Sequence, residues 1–144
     1  MEAMCDRIVP ADGDPGAAWA GARDYIDLQL AGPYADMQAL YRKGIAAADA
    51  SSRAMFGKPL AELAPADADK LLQAMEKDGA APEAWKDVRA SEFLAKLVDH
   101  TMQGFYGDPR HGGNRDMVSW RMLALPYPPV RGRRHSSPPT GGKA

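Results

Sequence analysis

Apolar positions recur along this chain at helical spacing, and no stretch alternates convincingly with period two. Residues 2–9 read as the last turns of a helix, ended by Pro10 and the turn-rich run ADGDPG. A helix over 17–30 places Trp19, Ala22, Ile26 and Leu30 on one face, and Gly32-Pro33 closes it. A second runs over about 34–56, with Met37, Leu40, Tyr41, Ile45, Ala48, Met55 and Phe56 in register until Gly57-Lys58-Pro59 breaks it. Leu60 and Leu63 are short apolar anchors before Pro65, which suits a first helical position. Residues 66–77 bring Ala68, Leu71, Leu72 and Met75 together, with Asp67 and Asp69 favouring the N-terminal dipole. Ser91 is the expected cap of the next helix, whose stripe is Leu94, Leu97, Val98, Thr101 and Phe105. This pattern predicts an all-α fold.

The most heavily punctuated stretch is GFYGDPRHGGNRDMVSW, residues 104–120. Asp108-Pro109 stops the preceding helix, because proline disfavours the α conformation before it and has no N–H. Gly112 and Gly113 supply backbone angles that a Cβ makes costly. Asn114 is placed to cap the next helical turn through its side-chain oxygen. Met117, Trp120, Met122, Leu123 and Leu125 then suggest a short buried helical segment. A loop held this firmly on a helical scaffold usually meets something.

Composition changes at Pro126. The last nineteen residues hold five of the twelve prolines and the basic group Arg131, Arg133 and Arg134. The chain therefore divides into one small helical domain with long loops, 1–125, and an extended Pro/Gly/Arg-rich tail, 126–144. Such a tail is either solvated or an arm lying along a partner. With 144 residues, one domain has enough chain for a real core. A formal charge of −1 gives no global drive towards nucleic acid or an anionic membrane. Nothing approaches the roughly 20 apolar residues that span a bilayer. Cys5 is the sole cysteine, which excludes an intrachain disulfide. No secretory signal opens the chain, and the apolar positions begin at once. That pattern suits a chain trimmed upstream or translated from an internal methionine.

Little in the sequence points to catalysis. Asp12 and Asp14 lack the remaining spacing of a calcium loop and read as turn residues. His100, His111 and His135 have no metal-ligand spacing. His111 with Asp108 and Asp116 can be drawn as an acid–base group, but no nucleophile or oxyanion donor accompanies it, and loop hydrogen bonding is the plainer reading. Ser119 has no nucleophile-elbow context, and Gly112-Gly113 lacks the spacing of a dinucleotide fingerprint. The aromatic residues read as core stripes rather than a base-stacking surface.

Three stretches resemble a known family: DRIVPADGDPGA at 6–17, ARDYIDLQLAGPYA at 22–35, and above all HTMQGFYGDPRHGGNRDMVSW at 100–120. They resemble the gluconate 2-dehydrogenase subunit 3 family, over roughly residues 4–126. The closing motif, GFYGDPRHGGN with a tryptophan six residues on, is the most specific. The resemblance implies a non-catalytic small subunit of a membrane-associated, flavin-dependent sugar or polyol dehydrogenase of the gluconate, fructose, sorbitol or glycoside type. It implies no cofactor in this chain and FAD in a catalytic partner of the glucose–methanol–choline oxidoreductase type. A cytochrome c subunit or another acceptor takes the electrons, and membrane association is indirect. The family's small subunit also assists folding and export of its partner, which implies a periplasmic location. The usual twin-arginine signal is absent here, and His111 stands where the family carries a tyrosine.

On this reading the residues gripping the partner are Tyr106, Asp108, Pro109, Arg110, His111, Gly112, Gly113, Asn114, Asp116 and Trp120, with Tyr106 and Trp120 as aromatic anchors. Trp120 serves the core equally well. Two other functions compete: a free-standing helical protein-binding module with no dehydrogenase partner, and a small hydrolase using His111 and Asp108.

Overall fold

The structure, a computed structural model, describes residues 1–124. Leu125 and the tail expected over 126–144 lie outside the described residues. Among the described residues there are seven α-helices and no strand: α1 (Glu2–Ile8), α2 (Ala17–Ala20), α3 (Ala22–Leu30), α4 (Gln38–Phe56), α5 (Pro65–Glu76), α6 (Ala90–Tyr106) and α7 (Val118–Met122). The all-α expectation holds. No helix among them is long and apolar enough to cross a membrane.

Helix α6 is the centre, packing against all six others. Its sequence explains this. Phe93, Leu97, His100, Thr101, Gly104 and Phe105 fall on one broad face at spacings of three and four, and all are buried. Burying a side chain such as Leu97 or Phe105 stabilises the fold by about 1.5–3 kcal/mol each. Ile26 of α3, Tyr41 and Ala48 of α4, and Leu71 and Met75 of α5 complete the core with Met4 and Cys5 of α1. Cys5 is fully buried, burial pushes its thiol pKa up, and Thr101 Oγ1 lies 3.4 Å from its sulfur. It is a packing residue, since reactive cysteines need an exposed, stabilised thiolate.

Several expected boundaries change. The single helix expected over 17–30 is two, because Gly21 adopts the left-handed conformation (φ +77°) and turns the chain between α2 and α3. That turn rotates Trp19 off the face of Ile26, and Trp19 is exposed rather than core. The helix expected from 34 starts at Gln38, after a 3₁₀ turn over Ala35–Met37. Met55, assigned to its inner face, is exposed. Pro65 does open α5, and Gly57 in the left-handed region ends α4.

Ser91 is not the cap of α6. Arg89 occupies that position, and the carboxylate of Asp78 supplies the capping from another loop. It accepts from the Ser91 backbone N–H at 2.8 Å, the Ser91 hydroxyl at 3.0 Å and Arg89 at 2.6 Å. These donors, with the backbone N–H foremost, hold the Asp78 carboxyl down at about 2.

Candidate functional site

The loop that leaves α6 is tied back onto it almost residue by residue. Gly107 ends the helix. Asp108 then caps a 3₁₀ turn, Pro109–His111, by accepting from the Arg110 backbone N–H at 3.0 Å. Its other oxygen accepts from Arg110 Nε at 3.0 Å and Nη2 at 2.5 Å. The Arg110 guanidinium, with that backbone N–H, lowers the Asp108 carboxyl to about 2. Both oxygens of Asp108 are thus taken by Arg110, and His111 stands exposed beside them. The acid–base pair drawn from the sequence is not assembled at Asp108.

Gly112 has φ +102°, as its type suggested, whereas Gly113 is outside the left-handed region. Gly113 is needed for a different reason. A Cβ there would run into the carbonyl oxygen of Gly104, so the loop lies directly on the α6 backbone. The expected capping role of Asn114 is present in an extended form. Its Oδ1 accepts from the Ser119 N–H at 3.0 Å and the Ser119 hydroxyl at 2.9 Å, which serves the first turn of α7. Its Nδ2 donates to the Gly107 carbonyl at 2.8 Å. Asn114 and Ser119 are both fully buried, so the Ser119 hydroxyl is no free nucleophile.

Asn114, Asp116 and Met117 all adopt left-handed backbone angles (φ +47°, +53° and +57°). Such conformations are unfavourable for residues with a Cβ and persist only where the surroundings fix them. Arg121 helps by donating to the Asp116 carbonyl. Trp120 is buried and donates from Nε1 to the Tyr106 carbonyl at 2.9 Å, so its indole serves the chain's own interior. Tyr106 remains 39% exposed, its ring edge-on to Phe105.

The far side of the loop rests on α2 and α3. The Arg115 guanidinium lies 5.7 Å from the Trp19 ring centroid and 4.0 Å from the Asp24 carboxylate. Leu28 packs against Gly112. Of the ten residues singled out in the sequence, Gly113, Asn114 and Trp120 are buried and build the loop. Tyr106, Arg110, His111 and Asp116 are exposed, and Asp108, Pro109 and Gly112 lie between.

The segment expected to be buried after the loop is only half so. Val118, Ser119 and Trp120 are inside, but Met117, Met122 and Leu123 are exposed. They belong to a wider pattern. Among the described residues, eight large apolar side chains are exposed, and seven lie on elements that carry or touch this loop: those three, Trp19, Leu28, Met102 and Tyr106. The eighth is Met55, at the end of α4. A run of apolar residues gives no sign of which side faces water, so this clustering was not visible in the sequence.

One polar cluster also escaped the sequence reading. Gln103 Oε1 accepts from the hydroxyls of Tyr25 at 3.0 Å and Tyr34 at 2.9 Å. Tyr34 stacks on His100, and the Tyr41 hydroxyl lies 2.7 Å from His100 Nδ1. Burial, assisted by Lys96, pushes the His100 pKa down, and burial pushes Tyr25 up to about 12. His100 and Gln103, three apart on α6, were the available signal. Among the described residues, no group of three or more His, Cys, Asp or Glu side chains is placed to hold a metal ion. Depressions of about 430 and 490 Å³, beside Lys43 and Asp87 and beside Met1 and Asp6, include no residue of the loop.

A family model described as gluconate 2-dehydrogenase subunit 3 matches residues 1–126. Neither a curated protein nor a solved structure matches the chain. The family match takes in all seven helices and the whole loop of residues 107–117. The chain belongs to the gluconate 2-dehydrogenase subunit 3 family, whose name places it among the accessory subunits of a dehydrogenase.

Proposed function

We propose that this chain is the non-catalytic small subunit of an FAD-dependent sugar or polyol dehydrogenase. It binds and stabilises a catalytic flavoprotein of the glucose–methanol–choline oxidoreductase type, assists its maturation and export, and works with it in the periplasm. A cytochrome c subunit or another acceptor receives the electrons. Family membership supports the association with a dehydrogenase complex. The observation that carries the subunit reading is the state of the loop's polar groups. Asp108 is satisfied by Arg110, and Asn114 by Gly107 and Ser119, within the chain itself. Groups so engaged hold the loop in one shape and give a firm surface for recognition.

The test is co-expression of the chain with a flavoprotein of this type and purification through a tag on this chain alone. A flavin absorption band at one flavin per chain in the complex, absent from the chain alone, is the expected result. A colourless, folded chain that ignores the flavoprotein would contradict the reading and favour the free-standing binding module.

A further inference from the structure

We infer that the exposed apolar side chains flanking the loop are the contact by which this subunit docks onto an apolar surface of the catalytic subunit. The inference rests on the subunit reading and specifies where the contact lies. On one flank, Trp19 (44% exposed), Leu28 (57%) and Met117 (43%) sit around Gly112 and Arg115. On the other, Tyr106, Met122 and Leu123 belong to α6, to α7 and to the residue after it, joined by the Trp120 bond to the Tyr106 carbonyl. Single exposed apolar residues are ordinary on any protein. Their concentration on the elements that hold one strained loop, with Met55 alone elsewhere among the described residues, is not, and clusters of this kind mark interaction surfaces.

The charges around them indicate what covers the site. Arg23 pairs with Asp24 at 3.1 Å and reaches Asp27 at 3.7 Å. Arg110 pairs with Asp108 at 2.5 Å, and Arg115 approaches Asp24 at 4.0 Å. These three arginines are paired with Asp24, Asp27 and Asp108, and Arg121, held on the Asp116 backbone carbonyl, is offset by the nearby Asp116 in the charge count. A surface neutralised from within presents no field for a phosphate backbone or an anionic bilayer. It suits a neutral, apolar protein surface, with aromatic and methionine side chains at the centre and satisfied ion pairs at the rim. The loop's left-handed residues fix the backbone that presents Met117, so little ordering entropy is lost on docking. A chain classified as one subunit of a dehydrogenase has a natural occupant for such a surface in the complex itself.

The experiment measures the affinity of the purified flavoprotein for the full chain and for three variants. These are Trp19→Glu with Met117→Glu, Tyr106→Glu with Met122→Glu, and Met55→Glu. Each variant's circular dichroism and melting temperature are checked first, and the two flanking pairs guard against one failing to fold. The expected result is binding at least tenfold weaker for both flanking pairs and unchanged for Met55→Glu. Wild-type affinity retained by both folded pairs would overturn the inference while leaving the subunit reading intact. Failure of the wild-type chain to bind would remove that reading and the inference with it. Two other results would also overturn it, provided flavoprotein binding is unaffected. One is loss, in the flanking variants, of binding to phosphatidylglycerol vesicles, which would assign the surface to a bilayer. The other is conversion of a dimer of the isolated chain into a monomer, which would assign it to a second copy.

Discussion

Asn114 and Ser119 are joined twice, for Asn114 Oδ1 accepts from both the Ser119 backbone N–H (3.0 Å) and the Ser119 hydroxyl (2.9 Å). The same buried carboxamide reaches back to the Gly107 carbonyl, so one side chain fastens the end of α6 to the start of α7. Asn114→Ala removes all three bonds and leaves the buried Ser119 N–H without its partner. A buried donor left unsatisfied costs about 1–3 kcal/mol. Alanine also tolerates the left-handed backbone at 114 less well than asparagine does. Urea unfolding is expected to show a loss of about 3 kcal/mol. A loss below about 1 kcal/mol would show that the loop is held by other contacts.

Gly113→Ala tests the close approach of loop and helix. The new methyl group meets the Gly104 carbonyl, a backbone atom that cannot swing aside. The loop must lift from α6, and overpacking of this kind costs about 1–3 kcal/mol. NMR spectra should show amide shifts confined to α6 and residues 107–120, with α5 unchanged. Unperturbed shifts in the loop would contradict the packing described.

How much of this was legible in the sequence depends on the range of the interaction concerned. The stop at Gly57, the start at Pro65 and the Asn114 cap are local chemistry, and the sequence carries them plainly. The break at Gly21 was hidden, because one glycine inside a helical pattern costs only about 1 kcal/mol and is often tolerated. Ser91 lost its expected role to Asp78, thirteen residues away, through a contact that no local pattern predicts. The necessity of Gly113 is likewise a property of Gly104 passing beneath it. The apolar pattern identified Trp120 and Met122 equally, while only packing separates the buried indole from the exposed thioether.

Acid stability should depend on Asp108 and Asp78. Each has a folded pKa of about 2, below the ordinary 3.8, so the unfolded chain takes up these protons first as pH falls. Their pairing therefore stabilises the fold above about pH 4, and this contribution is lost as pH falls to about 2. The double variant Asp108→Asn, Asp78→Asn is expected to show a flatter dependence of urea midpoint on pH over that window. An unchanged slope would mean that these pairs do not act in solution.

His100 contributes in a higher range. Its folded pKa lies below the ordinary 6.5, so the unfolded chain binds the proton more readily. Stability should fall as pH drops through about 6.5, and level off once the folded imidazole is itself protonated. His100→Phe keeps a ring against Tyr34 without a titrating group, and should remove the His100 part of this dependence. An NMR titration placing the folded His100 at or above 6.5 would contradict the buried, neutral imidazole.

The central claim is that the loop of residues 107–117 and the apolar side chains beside it are the docking surface for the catalytic subunit. Amide hydrogen exchange, followed by mass spectrometry on the chain alone and in complex with the flavoprotein, tests this most directly. The account predicts new protection in peptides covering 17–30 and 104–123, and none in those covering 46–77. Protection that appears over 46–77 and spares the loop would contradict it.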